Sequence, residues 1–209
     1  MIKEETHNKL KEIKQSFRLL MNGVTAQSMR EKGVDYHLNW GASLGHLQEM
    51  AREYGKDYDL AIELWKENIR ECKIMALLIM PTERMSPELA DLWMEQTPSQ
   101  EIVEQAAFYL YQHLSFAPVI AYRWIATDKP LWQICGFNIL SRLFSQGQEP
   151  DERGISEFLD QASAAMCGDH LGVRHAAFSC LNRFATLGDF EEKLTESIIK
   201  KLGISFDFS

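Results

Sequence analysis

Pro98-Ser-Gln-Glu-Ile102-Val103-Glu-Gln-Ala-Ala107-Phe108-Tyr-Leu-Tyr111 is followed 32 residues later by Pro130-Leu-Trp-Gln-Ile134-Cys135-Gly-Phe-Asn-Ile139-Leu140-Ser-Arg-Leu143. Apolar residues fall opposite apolar residues, and a second proline pair, Pro118 and Pro150, keeps the same offset. A looser third copy turns Phe137-x-x-Leu140-x-Arg142-Leu143 and Gly147 into Phe178-x-x-Leu181-x-Arg183-Phe184 and Gly188. A repeat of this length with helical spacing inside it predicts stacked helix pairs, each burying its apolar face against its neighbours. Such a solenoid offers one long concave surface instead of a closed cleft.

Working outward, nearly every segment carries helical periodicity, and no stretch alternates convincingly as a strand. Leu10, Ile13, Phe17 and Leu20 share one face of a helix over residues 4–21. Asp57 or Asp59 can cap a helix bearing Leu60, Ala61, Leu64 and Trp65, and a further helix runs from about Ile69 to Ile79 before Pro81 ends it. Ser86-Pro87-Glu88 has the cap, first-turn proline and acid of a helix start. Thr97-Pro98, Asp128 before Pro130, and Glu149-Pro150-Asp151 follow the same logic, so all six prolines punctuate. Gly147, Gly168, Gly172, Gly188 and Gly203 fall between periodic segments, where helix ends can use left-handed backbone. The expectation is an all-α solenoid of about ten or eleven helices forming a single domain over residues 1–209.

With 45% apolar and 25% charged residues, the composition is that of an ordinary globular protein. The longest apolar run, Ile74 to Pro81, is far short of the roughly 20 residues of a membrane span. The charged, amphipathic start lacks the apolar stretch of a signal peptide, so a cytoplasmic location with no membrane partner is expected. Cys72, Cys135, Cys167 and Cys180 are scattered among apolar residues and read as buried free thiols. No metal or cofactor is expected: His170 and His175 are five residues apart, a poor spacing for ligands on one helix. Gly41-Ala-Ser-Leu-Gly45 reads as a loop entering a helix, not as a phosphate cradle. The net charge of −8 opposes bulk attraction to nucleic acid, yet residues 1–32 hold seven Lys/Arg against four Asp/Glu. A basic stripe, not a basic total, is what phosphate contacts require.

One segment speaks about function: Leu60-Ala-Ile-Glu-Leu-Trp-Lys-Glu-Asn-Ile-Arg-Glu-Cys-Lys-Ile-Met-Ala-Leu-Leu-Ile-Met-Pro81. It resembles the signature of the DNA alkylation repair family, the AlkD-type alkylpurine DNA glycosylases built from HEAT-like repeats, L-A-x-x-L-W-x-x-G-I-H-E-A-R-x-L-A-x-x-I-x-x-P. Leu60, Ala61, Leu64, Trp65, Ile69, Glu71, Ala76, Ile79 and Pro81 match, whereas Arg70 stands for the family's His and Lys73 for its Arg. The similarity extends over roughly residues 38–190. It implies a HEAT-like α-α superhelix that excises cationic alkylated purines from DNA. Aromatic rings and a carboxylate would stabilise the cationic base and the developing oxocarbenium ion, and an arginine would hold phosphate.

The chain departs from the family where that chemistry would sit. The family's W-D-x-x-D aligns with Gln100-Glu101-Ile102-Val103-Glu104, so an amide replaces the ring and glutamates replace both aspartates. No arginine lies between Arg123 and Arg142, where the family keeps one, and the tryptophan of V-R-K-A-x-x-W is Ser179 in Val173-Arg174-His175-Ala176-Ala177-Phe178-Ser179. The candidate catalytic residues are Glu104 and Glu101, each also readable as a first-turn acid favoured by the helix dipole. The candidate DNA contacts are Lys73, Arg174 and His175, with Lys73 and Glu71 also readable as an internal tie. Three functions follow from these residues: a DNA-binding relative with weak or no base excision, holding damaged or distorted DNA; a glycosylase rebuilt around Glu104 with Trp124 or Trp132; or a scaffold for a protein partner.

Overall fold

The computed structural model describes residues 4–31, 36–97 and 99–203. These residues form twelve α-helices and two 3-10 turns, with one isolated parallel bridge, Leu38 to Ile69, as the sole extended pairing among them. The fold is an all-α, HEAT-like helical repeat. It divides into two compact units, Met1–Leu114 and Ser115–Ser209.

In the first unit, α1 (Glu4–Leu19) is joined to α2 (Gly23–Glu31), and α3 (Leu44–Tyr54), α4 (Tyr58–Lys66), α5 (Arg70–Ile79), α6 (Pro87–Glu95) and α7 (Gln100–Tyr109) follow. Helix α1 inserts Ile13 and Phe17 into the core and lies on α4, where Lys9 reaches Asp57 at 3.2 Å and Lys14 reaches Glu67 at 2.9 Å. Capping follows the local chemistry. Asp57, Ser86 and Ser99 each accept the backbone N–H three residues on, opening α4, α6 and α7. Helix α5 packs on α3, α4 and α7, and nine of its ten residues are buried, Arg70, Glu71 and Lys73 among them. It is the axis of this unit, and its charged residues must find partners inside the protein.

The second unit stacks α8 (Ala117–Ile125), α9 (Pro130–Ser145), α10 (Glu152–Cys167), α11 (Leu171–Ala185) and α12 (Asp189–Leu202). Gly136 lets α9 close on α8, since a Cβ there would stand 2.7 Å from the Ala121 carbonyl. Phe144, Phe158 and Phe184 form a ring cluster with centroids 5.1 to 5.5 Å apart, joining α9, α10 and α11. Among the described residues no helix is long and apolar enough to cross a membrane.

The repeat holds through its first half and then slips. Ile102, Val103 and Ala107 are buried like Ile134, Cys135 and Ile139, but Phe108 is exposed where Leu140 is buried. The two helices also differ in length: α7 stops at Tyr109, whereas α9 runs on to Ser145, so Tyr111 reaches the core from a 3-10 turn and not from a helix. Several boundaries also differ from the sequence expectation. Thr97 spends its hydroxyl on the Trp93 carbonyl while Ser99 caps α7, and α9 starts after Lys129 without a side-chain cap, so Asp128 is not one. Gly172 lies inside α11, and Gly168 and Gly188 are extended, whereas Gly147 and Gly203 take the left-handed φ. Cys167 is exposed because it is the last residue of α10; the other three thiols are buried. Pro98 lies outside the described residues.

Candidate functional site

The helix starts in the first unit to which the sequence resemblance points are those of α5 and α7. They are joined by a short extended segment, residues 36–42. Leu38 pairs with Ile69, and its carbonyl accepts the Arg70 N–H at 3.2 Å, so a backbone group does the work of the missing side-chain cap on α5. The segment then turns through Gly41, whose φ of +70° and whose Cβ position, 2.3 Å from the Asn22 carbonyl, admit only glycine. Glu71, fully buried, accepts the backbone N–H groups of Trp40 and Ala42, both at 3.2 Å.

Arg70 closes the cluster. Its Nε donates to both Glu101 oxygens at 3.0 and 2.9 Å, and a terminal nitrogen adds a third bond of 2.6 Å to Oε1. Its other terminal nitrogen bonds the Ala42 carbonyl at 3.0 Å and Glu71 at 3.3 Å. Burial disfavours the guanidinium charge, but Glu101 and Glu71 more than offset it and hold its pKa above the ordinary value. Tyr36 completes the ring of contacts, 2.7 Å from the cap hydroxyl of Ser99 and 3.4 Å from Glu101; burial pushes its phenol upward, which keeps it neutral. Glu101 is therefore not a solvated first-turn acid. Both of its oxygens are engaged by a buried arginine.

Its neighbours on α7 are differently placed. Gln100 and Glu104 are exposed, and the Gln100 amide donates to Glu104 at 2.7 Å along the helix surface.

Lys73, one turn further along α5, points into the protein. Its ammonium donates to the Trp65 carbonyl at 2.5 Å and lies 4.3 Å from the centre of the Trp65 ring. That ring also stacks on Trp93 at 4.1 Å, nearly parallel, and its N–H bonds Gln96 at 3.1 Å. Burial pushes the Lys73 amine down from 10.5 to about 8. Between those values the unfolded chain binds a proton that the folded chain does not, so this residue's contribution to stability increases as pH rises from about 8 to 10.5. Lys73→Met removes that contribution. Wild type is expected to gain stability relative to the variant across this range in urea titrations; a constant difference, or one of opposite slope, would contradict the assignment.

In the second unit Trp124 is fully buried, and its ring meets Trp132 edge-on at 5.6 Å. Trp132 is half-buried under the Lys129 ammonium, 4.5 Å from its ring centre. Arg174, His175 and Ser179 are exposed on one face of α11, which continues to Asn182 and Arg183. The residue that sequence reasoning left without a role is Arg70. The signal was present in the two departures from the family pattern, His to Arg at 70 and Asp to Glu at 101, but only the fold shows that they touch.

The sequence model of the DNA alkylation repair enzymes matches residues 13–153. No curated protein sequence matches the chain significantly. One solved structure, described as a new family of proteins related to the HEAT-like repeat DNA glycosylases with affinity for branched DNA structures, aligns with a TM-score of 0.83 at 19% identity. The alignment covers 96% of this chain and 87% of that one.

Proposed function

The chain belongs to the family of DNA alkylation repair enzymes, and from that premise we propose that it binds branched or otherwise distorted DNA without excising bases. The observation that carries this reading is the engagement of the α7 carboxylates. Stabilising an oxocarbenium ion takes a preorganised charge in a water-excluded pocket, where electrostatic interactions are strong. Glu101 is neutralised by Arg70, and Glu104 sits exposed, where water screens it. Gln100 and Ser179 offer no ring at the positions where the family keeps tryptophan. The rebuilt-site alternative loses Trp124 to the core.

In this reading Arg174 and His175 hold phosphate from the exposed face of α11, and Lys73 braces Trp65 from within. The affinity for branched DNA in the description of the structurally similar family supports a branched ligand in this reading. The test pairs two assays. In gel shifts a four-way junction is expected to bind more tightly than mismatched or plain duplex, and alkylated DNA is expected to release neither 7-methylguanine nor 3-methyladenine at high protein concentration. Failure to bind all three DNAs at low salt would sink the reading; base release that disappears in Glu104→Gln would establish the enzyme instead.

A further inference from the structure

We propose that the exposed groove along α1 is a second contact site for the DNA phosphate backbone, an inference that rests on the DNA-binding reading above. The groove has a volume of about 360 Å³ and is lined by His7, Lys11, Lys14 and Arg18 of α1, with Glu67 as its one acid. At 3.6 residues per turn these four α1 positions fall within about 60° of arc, so they form one stripe about 16 Å long. That length matches roughly five phosphates along one strand of B-form DNA.

The chain as a whole is acidic, with a net charge of −8, so the alignment of Lys11, Lys14 and Arg18 on one stripe runs against its average. Structural duties account for only part of it. Lys14 is used by Glu67 at 2.9 Å, holding α1 to the end of α4. The helix dipole favours Arg18 in the last turn, but it does not reach His7 or Lys11. Among the described residues neither Lys11 nor Arg18 has a carboxylate partner. Arg18 is oriented instead by an aromatic face, its guanidinium 6.0 Å from the centre of the Trp40 ring, whose backbone N–H is bonded to Glu71. A guanidinium positioned by a ring keeps its N–H groups for an incoming anion, and two of them match the oxygens of a phosphate. A phosphodiester chain is the ligand that suits cations repeated along a line.

The test compares salt titrations of junction binding for wild type, Lys11→Gln/Arg18→Gln, and a control, Lys193→Gln/Lys200→Gln, which removes two exposed lysines of α12 and changes net charge equally. Lys14 is left in place so that α1 stays docked. Losing two phosphate contacts is expected to flatten the slope of log K against log salt by about 1.8 and to weaken binding at least about tenfold at 0.1 M salt. The control keeps the wild-type slope. A groove variant with wild-type slope and affinity, or a control that loses as much, overturns the site while leaving DNA binding itself intact. Wild type that binds neither junction nor duplex overturns the functional reading and the site together.

Discussion

Arg70→Met is expected to destabilise the first unit by about 3–5 kcal/mol, the range for leaving a buried charge without its partner. The side chains of Arg70 and Glu71 are 5% and 0% exposed and that of Glu101 is 24% exposed, so water cannot replace the lost guanidinium at Glu71 and does so only partly at Glu101. Glu71 keeps its two backbone donors from Trp40 and Ala42; among the described residues Glu101 keeps only the Tyr36 hydroxyl. The double variant Arg70→Met/Glu101→Met is expected to recover part of the loss, because it removes the unpaired Glu101 charge, while Glu71 stays buried with its two backbone donors alone. Urea unfolding followed by tryptophan fluorescence measures both variants. A single variant within about 1 kcal/mol of wild type, or a double variant no better than the single, would show that the cluster is not the tie described here.

The same pair shows what the sequence could and could not disclose. Helix starts were legible because they are local: Asp57, Ser86 and Asp151 bond backbone groups three residues away, and Pro87 and Pro130 occupy first-turn positions. The helical spacing of Ile102, Val103 and Ala107 reported burial for the same reason, since periodicity along one helix determines its inner face. The exposure of Phe108 was not legible, because it occupies the same helical position in α7 as the buried Leu140 does in α9, and burial there depends on what covers that face. Nor was the link from Arg70 to Glu101, which spans 31 residues and exists only because α5 and α7 lie side by side. Residues 36–42 carry no period at all. Their order comes from backbone bonds to Ile69, Arg70 and Glu71. The substitutions at 70 and 101 thus look independent in the sequence and amount to one coupled change in the fold: a longer acid meets a two-pronged base.

Trp65→Ala is expected to cost about 3–5 kcal/mol, as for other buried aromatic residues truncated to a methyl group. Trp65 is 2% exposed and its ring serves two partners at once, Trp93 stacked at 4.1 Å and the Lys73 ammonium at 4.3 Å. Truncation leaves a cavity against Trp93 and removes the ring that stabilises the buried ammonium, though the backbone carbonyl at position 65 still accepts its hydrogen bond. Trp65→Phe keeps much of the apolar volume and loses the bond to Gln96, a change of about 1 kcal/mol for the hydrogen bond alone. A double-mutant cycle between Trp65→Phe and Lys73→Met tests whether the amine and the ring act together. The larger indole face is the better cation acceptor, so a coupling of about 0.5–2 kcal/mol is expected near neutral pH, where the amine is protonated. The coupling is expected to shrink above pH 8 as the amine loses its charge. Coupling that does not change with pH would mean that the two side chains share packing alone, and that the cation contributes nothing to holding α4 against α5.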